Sequence, residues 1–288
     1  MKMQKRRAGN RSTVDGSGTE PRHASDGSRS AAANVFVDRV YGIVPVLEAL
    51  RAGHRRIEHI TIAEGAKHQR LRELLDLAKA ARVPVRRAPK MEIERTLGNV
   101  THQGVTARIA ASHYADVDEL LDDLAARVGT EQPPLVLALD GLEDPRNLGA
   151  VLRTAECAGV HGVFTPERRA VGLTETVAKT AAGALEYVRV ARVTNLARLI
   201  EQLKERNIWV VGTSADAPRE YTDWDWTLPT AIFLGSEGAG LHRLVRERCD
   251  TLVRIPVLGH LESLNVAVAS GVVLYEALRQ RRVAKKSL

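Results

Sequence analysis

The sequence predicts an α/β protein with a mostly parallel sheet, preceded by a smaller α/β unit. Three observations predict this fold class. Short apolar runs recur through the second half of the chain, amphipathic helical patterns separate them, and a shorter alternation of helix and strand patterns precedes them. Strands that are apolar on both faces, with helices between them, are typical of a parallel sheet that helices cover on both sides. The 288 residues, 44% of them hydrophobic, are enough for two domains and a tail.

The first 33 residues contain almost no large apolar side chain and are rich in Gly, Ser, Arg and Asp. Seven Lys or Arg residues stand there against three acidic residues, a net charge of +4 within the +7 of the whole chain. Such a segment cannot bury enough apolar surface to offset the entropy of ordering, so we expect residues 1–33 to be a disordered basic tail. It is either a solvated tail or an arm that binds phosphate without sequence preference.

Residues 34–112 are predicted to form the smaller unit. Its patterns are a helix that Gly53 ends, a strand in IEHITIA, a charged helix around residues 69–81, the short run VPVRRA and a strand in GVTARIA. Alternation of this kind predicts a compact α/β domain. Residues 113–133 follow as a linker, with a small acidic helix and the pair Pro133-Pro134 at its end.

Residues 134–288 are predicted to form the larger unit. Its strand patterns are LVLALD at 135–140, GVFT at 162–165, YVRVA at 187–191, IWVVGT at 208–213, AIFLG at 231–235 and LVRIPV at 252–257. In open α/β sheets ligands bind beyond the carboxyl ends of the strands, so the loops after these runs are the candidate sites. Three of them stand out, beginning at residues 140, 234 and 255.

The first loop, DGLEDPRNLGAVLRTAE, leads into a helix whose apolar stripe leaves Asn147 and Arg153 off the buried side. The second, LGSEGAGL, has glycines that allow close approach of the backbone to a ligand, with Glu237 among them. The third, IPVLGHLESLNVAVASG, runs into a helix of apolar and small residues, with Ser263 and Asn265 at its start.

The residue types alone leave two interpretations of these loops open. Asn147, Ser263 and Asn265 fit a helix-capping role as well as a catalytic one, and Arg153 fits a solvated surface position. The chain has no GxxxxGK[ST] segment, which disfavours a nucleotide-dependent enzyme on an ordinary doubly wound sheet. Its histidines lack metal-ligand spacing, so no metal is expected.

Cys157 and Cys249 are isolated thiols without CxxC spacing. We also find no apolar run long enough for a signal sequence or a membrane span. Together these features predict a protein of the reducing cytoplasm with no membrane partner.

In this order and at this spacing, NLGAVLRTAE, LGSEGAGL and IPVLGHLESLNVAVASG resemble motifs one, two and three of the SpoU/TrmH branch of the SPOUT methyltransferases. The match runs from about residue 134 to 282. The segments VYGIVPVLEAL and HQGVTARI resemble the L30-like domain that precedes the catalytic domain in the ribosomal RNA members. The resemblance implies a trefoil-knotted SPOUT domain and a homodimer. It also implies methyl transfer from S-adenosylmethionine to a ribose 2′-hydroxyl in RNA, with a guanosine of 23S ribosomal RNA as the expected target.

The resemblance also implies the site residues. The catalytic set is Asn147, Arg153, Glu237, Ser263 and Asn265, and the cofactor-binding set is Thr213, Ser214, Gly235, Ile255 and Leu264. An arginine is protonated at any physiological pH, so we expect Arg153 to clamp phosphate and stabilise oxyanion charge rather than act as a base. The departures from the motifs, at residues 260–262 and at Ala267, affect only local loop shape.

Two further alternatives remain on the same fold. One is a transfer RNA 2′-O-methyltransferase, although the L30-like domain favours ribosomal RNA. The other is a non-catalytic RNA-binding or ribosome-assembly protein, and the complete catalytic set argues against it.

Overall fold

The computed structural model of the protein describes residues 39–98, 100–110 and 114–286. The basic tail predicted at residues 1–33 lies outside the described residues. Two sheets form within the described part, and both belong to one compact unit. Among the helices of that part, none is long and apolar enough to cross a membrane.

The first sheet has four strands. Its elements are β1 (Arg39–Tyr41), α1 (Ile43–Ala52), β2 (Ile57–Ala63), α2 (Leu71–Ala80), β3 (Val85–Ala88), α3 (Lys90–Leu97) and β4 (Val105–Ile109). The strand order is β1-β4-β2-β3, with β4 antiparallel to both of its neighbours and β3 parallel to β2. The predicted helices and strands of the smaller unit are therefore found in the predicted order, and the structure adds β1 and α3, which were not predicted.

One face of this sheet is covered by α1 and α2. Ile60, Ile62 and Ala107 point to that face and share a core with Leu47 and Leu74. The helix α3 contributes a single buried apolar side chain, Ile93, on the other face. That second face is consequently polar and partly open.

The two segments of the L30-like resemblance meet at the start of α1. Gln103 Oε1 accepts a hydrogen bond of 3.1 Å from the Ile43 backbone N–H, one of the unpaired donors at a helix N-terminus. Gln103 adopts a φ of 53°, which non-glycine residues rarely do. At its other end α1 stops at Gly53, as predicted, where φ is 64°.

The second sheet has seven strands in the order β7-β6-β5-β10-β8-β11-β9, and every pair is parallel. Its elements are α4 (Val117–Ala125), β5 (Leu135–Asp140), α5 (Pro145–Cys157), β6 (Gly162–Pro166), α6 (Glu175–Ala181), β7 (Val190–Val193), α7 (Leu196–Glu205), β8 (Trp209–Thr213), β9 (Arg219–Glu220), β10 (Thr230–Gly235), α8 (Arg243–Arg248), β11 (Thr251–Arg254) and α9 (Val266–Lys286). The predicted α/β class with a parallel sheet is confirmed.

Side chains that alternate along the strands build two cores, one on each face of this sheet. On one face Leu137 and Leu139 pack with the buried residues of α5, α6 and α9, and on the other Val136 and Ala138 pack with those of α4, α7 and α8. β5 and β10 lie side by side at the centre, with Gly235 level with Asp140. The loops that follow these two strands therefore start next to each other.

In the larger sheet, three local features differ from the sequence prediction. The strand expected at residues 187–191 begins only at Val190. Ala184–Glu186 form a turn of 3-10 helix, and the Val188 N–H still donates to the Ala184 carbonyl at 2.9 Å, so the backbone is not extended before that point. β11 ends at Arg254 rather than at residue 257. β9 is two residues long and has no apolar pattern that could predict it.

The segment expected to be a linker, residues 113–133, contains α4. Leu120, Leu121 and Leu124 of that helix are buried in the core of the larger sheet. The domain boundaries themselves stay a prediction.

Candidate active site

A cleft of about 340 Å³ lies beyond the carboxyl ends of the central strands of the larger sheet, within the usual size range of small-molecule sites. The loops after β8, β10 and β11 and the start of α9 line it. All five residues expected to contact the cofactor are among the lining residues, namely Thr213, Ser214, Gly235, Ile255 and Leu264.

Gly235 is required by close contact between two backbone segments. A Cβ atom at this position would lie 2.0 Å from the Gly240 carbonyl carbon and 2.3 Å from the Leu241 nitrogen. Ser236 and Gly240 pair through two backbone hydrogen bonds, of 3.2 and 3.0 Å, and these hold the loop tightly folded on itself. Glycine at this position is therefore needed for the loop to fold in this way.

Glu237 joins the three predicted loops in one cluster. Its Oε1 atom accepts hydrogen bonds from Asn147 Nδ2 at 3.0 Å, from Asn265 Nδ2 at 2.5 Å and from the Val266 backbone N–H at 3.3 Å. Asn265 Nδ2 also lies 3.1 Å from Asn147 Oδ1. The structure thus brings three of the five predicted catalytic residues into direct contact.

The capping interpretation is wrong for Asn147 and right for Asn265. The cap of α5 is Asp144, whose carboxylate accepts a hydrogen bond of 2.8 Å from the Arg146 N–H, so the Asn147 amide is free to reach the cluster. Asn265 Oδ1 accepts from the Ala267 and Val268 N–H groups at 3.0 and 3.3 Å. The side-chain nitrogen of Asn265 therefore binds the cluster, while its side-chain oxygen caps α9.

The remaining two predicted catalytic residues lie apart from this cluster. Ser263 is exposed and lines the cleft, and its hydroxyl makes no hydrogen bond to another described residue. Arg153 is exposed on α5, six residues and about 9 Å of helical rise beyond Asn147. It does not line the cleft, and among the described residues it has no ion-pair partner. Its catalytic role stays a prediction.

The sequence prediction missed a carboxylate that anchors the far end of the Glu237 loop. Asp140, at the end of β5, is 4% exposed. Its Oδ2 accepts a hydrogen bond of 2.8 Å from the His242 backbone N–H, and its Oδ1 lies 2.9 Å from His242 Nδ1. The only signal for Asp140 in the sequence was a polar residue at the end of a strand pattern. That signal could not indicate its partner His242, which lies 102 residues away along the chain.

A second missed residue, Asp216, lines the cleft just after β8. It accepts hydrogen bonds from Ser214 Oγ at 2.5 Å and Arg246 Nη2 at 2.7 Å, and these hold its pKa below the ordinary value of an aspartate. With Glu237 and Glu262 it gives the cleft an acidic lining, and no Lys or Arg of the described chain lines it. Such a site favours a positively charged ligand over a nucleoside phosphate.

Comparison with known proteins identifies the family. Residues 134–275 match the SpoU rRNA Methylase family, and residues 39–115 match the RNA 2′-O ribose methyltransferase substrate-binding domain. A Bacillus subtilis protein, YacO, named as a TrmH family tRNA/rRNA methyltransferase, is 44% identical over 244 residues, which are 85% of this chain and 96% of the relative. The chain belongs to the SpoU family.

Two further similarities support an enzymatic assignment for this SpoU protein. It is 45% identical over 253 residues to a 23S rRNA (guanosine-2′-O-)-methyltransferase, RlmB, of Pseudomonas syringae, covering 87% of the chain and 98% of the relative. The SpoU methyltransferase AviRb of Streptomyces viridochromogenes, solved with S-adenosylmethionine, matches with a TM-score of 0.69 and 26% identity over 85% of this chain and 90% of that one. The protein is an S-adenosylmethionine-dependent RNA methyltransferase, so the predicted enzyme class and cofactor are confirmed.

The residues of the cleft fit this cofactor. S-adenosylmethionine carries a sulfonium and an ammonium group, which suit a cleft lined by Asp216, Glu237 and Glu262. Gly235 itself lines the cleft, at the turn where the loop folds back on its own backbone. Apolar lining from Ile255 and Leu264 suits the methylene groups and the adenine ring.

Proposed function

We propose that this SpoU enzyme methylates the 2′-hydroxyl of a guanosine in 23S ribosomal RNA. The observation that carries the proposal is the cluster of Asn147, Glu237 and Asn265 at the edge of an acidic cleft. The choice of RNA rests on the similarity to the Pseudomonas syringae relative over 98% of its length. A substrate in ribosomal RNA also places the protein in the cytoplasm.

The reaction needs positioning and handling of a proton, because a ribose hydroxyl is a poor nucleophile at neutral pH. The cofactor supplies an electrophilic methyl group. In our proposal Glu237 is a positioning residue, because its Oε1 atom is already shared by two amide groups and a backbone N–H. Ser263, whose hydroxyl faces the cleft without a described partner, then contacts the ribose.

In this proposal Arg153 acts across the interface of a homodimer. The helix α9 packs on α5 and exposes Val268, Tyr275 and Val283, each more than half accessible. Large apolar side chains exposed along one helix mark a contact surface. We infer that a second copy of the chain covers this surface and that Arg153 of one protomer serves the cleft of its partner, where it clamps a phosphate group of the RNA. The trefoil knot that the family implies remains a prediction.

The test is a methyl-transfer assay with the purified protein, radiolabelled S-adenosylmethionine and separate pools of 23S ribosomal RNA and transfer RNA. We expect label from 23S RNA in an alkali-resistant dinucleotide that contains guanosine, because a 2′-O-methyl group blocks alkaline cleavage. Label in transfer RNA alone would overturn the proposed substrate. Binding of both RNAs without any transfer would favour the non-catalytic alternative. Glu237→Ala is the inactive control for the site.

A further inference from the structure

The open face of the smaller sheet carries a row of basic and polar side chains across three strands. Arg39 of β1 stands opposite Arg108 of β4, and Arg108 stands opposite His59 of β2. Cross-strand neighbours in register have side chains on the same face. The three residues therefore form one line at the surface opposite α1 and α2.

A second row lies beside the first. Thr106 of β4 is in register with Thr61 of β2, which is in register with Arg86 of β3. Arg86 Nε donates a hydrogen bond of 2.8 Å to Thr61 Oγ1, so the guanidinium is held in place. The two rows and α3 enclose a cleft of about 120 Å³.

Fold stability does not account for this arrangement. Two arginines directly opposite each other on a sheet repel, and the core of this domain lies on the other face. Two acids partly balance the face: Glu92 lies 3.6 Å from Arg86, and Glu58 lies 3.1 Å from Arg108. All four side chains of these pairs are at least 41% exposed, so the pairs are weak and a stronger anion can replace the acids.

Arg39 and His59 complete the chemistry of the cleft. Arg39 contacts the Thr96 carbonyl oxygen at 3.4 Å, and no carboxylate among the described residues pairs with it. Burial, and then the nearby Arg86, lower the pKa of His59, so its ring serves as a neutral hydrogen-bonding group. No Phe, Tyr or Trp of the described chain lines the cleft, which disfavours stacking on a base.

We propose that this face binds the phosphodiester backbone of the substrate RNA, with one phosphate group in the cleft between Arg39, Arg86 and Arg108. Planar guanidinium groups and threonine hydroxyls are typical phosphate ligands, and contacts of this kind position an RNA without reading its sequence. The inference rests on the proposed function, since it assumes that the bound polyanion is the RNA that the enzyme methylates.

The test compares two double variants of the full chain. Arg39→Gln/Arg86→Gln removes two charges from the face. Arg72→Gln/Arg87→Gln is the control and removes two charges elsewhere. Arg72 lies on α2. Arg87 follows Arg86 on β3 and is in register with the core residue Ile62, so its side chain is on the opposite face of the sheet from that of Arg86. Affinity for a labelled 23S RNA fragment is measured by fluorescence anisotropy between 50 and 200 mM salt, and urea unfolding followed by circular dichroism checks that each variant is folded.

Each lost phosphate contact makes the slope of log affinity against log salt shallower by about 0.7 to 0.9, so the face variant, which loses the one phosphate in the cleft, should show a slope shallower by about 0.8. Over the fourfold salt range the parent then loses about threefold more affinity than this variant. The control variant should keep the parental slope. Equal slopes for the two variants would overturn the proposal. Binding to polyglutamate is measured in parallel as a probe for an acidic protein. If the face variant loses binding to polyglutamate but keeps its binding to RNA, the face binds an acidic protein and the proposal is overturned.

The methyl-transfer assay separates this inference from the proposed function. If no RNA is methylated but the slopes differ as expected, only the proposed function fails. If RNA is methylated with the same KM by parent and face variant, and the slopes are equal, only the present inference fails.

Discussion

Gly235→Ala is the sharpest test of how the cofactor cleft is built. The added Cβ would lie 2.0 Å from the Gly240 carbonyl carbon and 2.3 Å from both the Gly240 oxygen and the Leu241 nitrogen. Non-bonded carbon atoms pack at about 3.5 to 4.0 Å, so the backbone after Glu237 has to retreat by about 1.5 Å. All three atoms are main-chain atoms, and no side-chain rotation can relieve the contact.

The cost follows from that displacement. Overpacking at a tight site costs about 1 to 3 kcal/mol, and the retreat also strains the two backbone hydrogen bonds between Ser236 and Gly240. We expect a loss of about 2 to 4 kcal/mol in the free energy of unfolding. Because the same loop lines the cleft and carries Glu237, we also expect at least a tenfold loss of cofactor affinity, equivalent to about 1.4 kcal/mol.

The assay is urea unfolding followed by circular dichroism, together with calorimetric titration of S-adenosylmethionine. Gly259→Ala is the matched control, because it lies in the loop that leads to Ser263 and a Cβ there meets no atom within 4 Å. The control should retain parental cofactor affinity. Parental stability and affinity in Gly235→Ala would refute the argument, because the loop would then have to be far looser than the structure shows.

Four further predictions follow. Gly149→Ala should lose about 1 to 3 kcal/mol of unfolding free energy in urea, since its Cβ would lie 2.5 Å from a side-chain carbon and 2.8 Å from a backbone oxygen of α6; an unchanged midpoint would contradict this. Arg281→Met should lose about 3 kcal/mol of unfolding free energy in the same assay, because the guanidinium donates to four backbone carbonyls at 2.6 to 3.0 Å. A stability within about 0.5 kcal/mol of the parent would contradict this prediction. Arg153→Ala should raise the methyl-transfer barrier by about 3 kcal/mol with unchanged cofactor affinity, while Arg153→Lys keeps part of the activity; equal rates for the two would argue against a charge role. Mixing Arg153→Ala with Glu237→Ala subunits should restore activity that neither parent has, and mixed dimers that form but stay inactive would rule out a site shared in this way.

The sequence alone was sufficient to predict the fold class, the family and the cofactor. Apolar runs predict the strands of the larger sheet because a strand buried on both faces needs apolar side chains on both faces, as LVLALD at 135–140 shows by matching β5 residue for residue. Three motifs in a fixed order indicated the family and the cofactor, and the comparisons confirm both. Local patterns could also indicate which loops follow the strands.

Only the tertiary structure showed which helix Asn265 caps and that Asn147, which caps none, contacts Glu237 instead. Glu237 meets Asn147 and Asn265 across separations of 90 and 28 residues, and the order of strands in the sheet, rather than any local pattern, brings them together. The line of Arg39, Arg108 and His59 likewise exists only because of the register between β1, β4 and β2. The period-2 pattern of one segment indicates which of its residues share a face, but the neighbouring strand and the partner residues on it are set by packing over the whole domain.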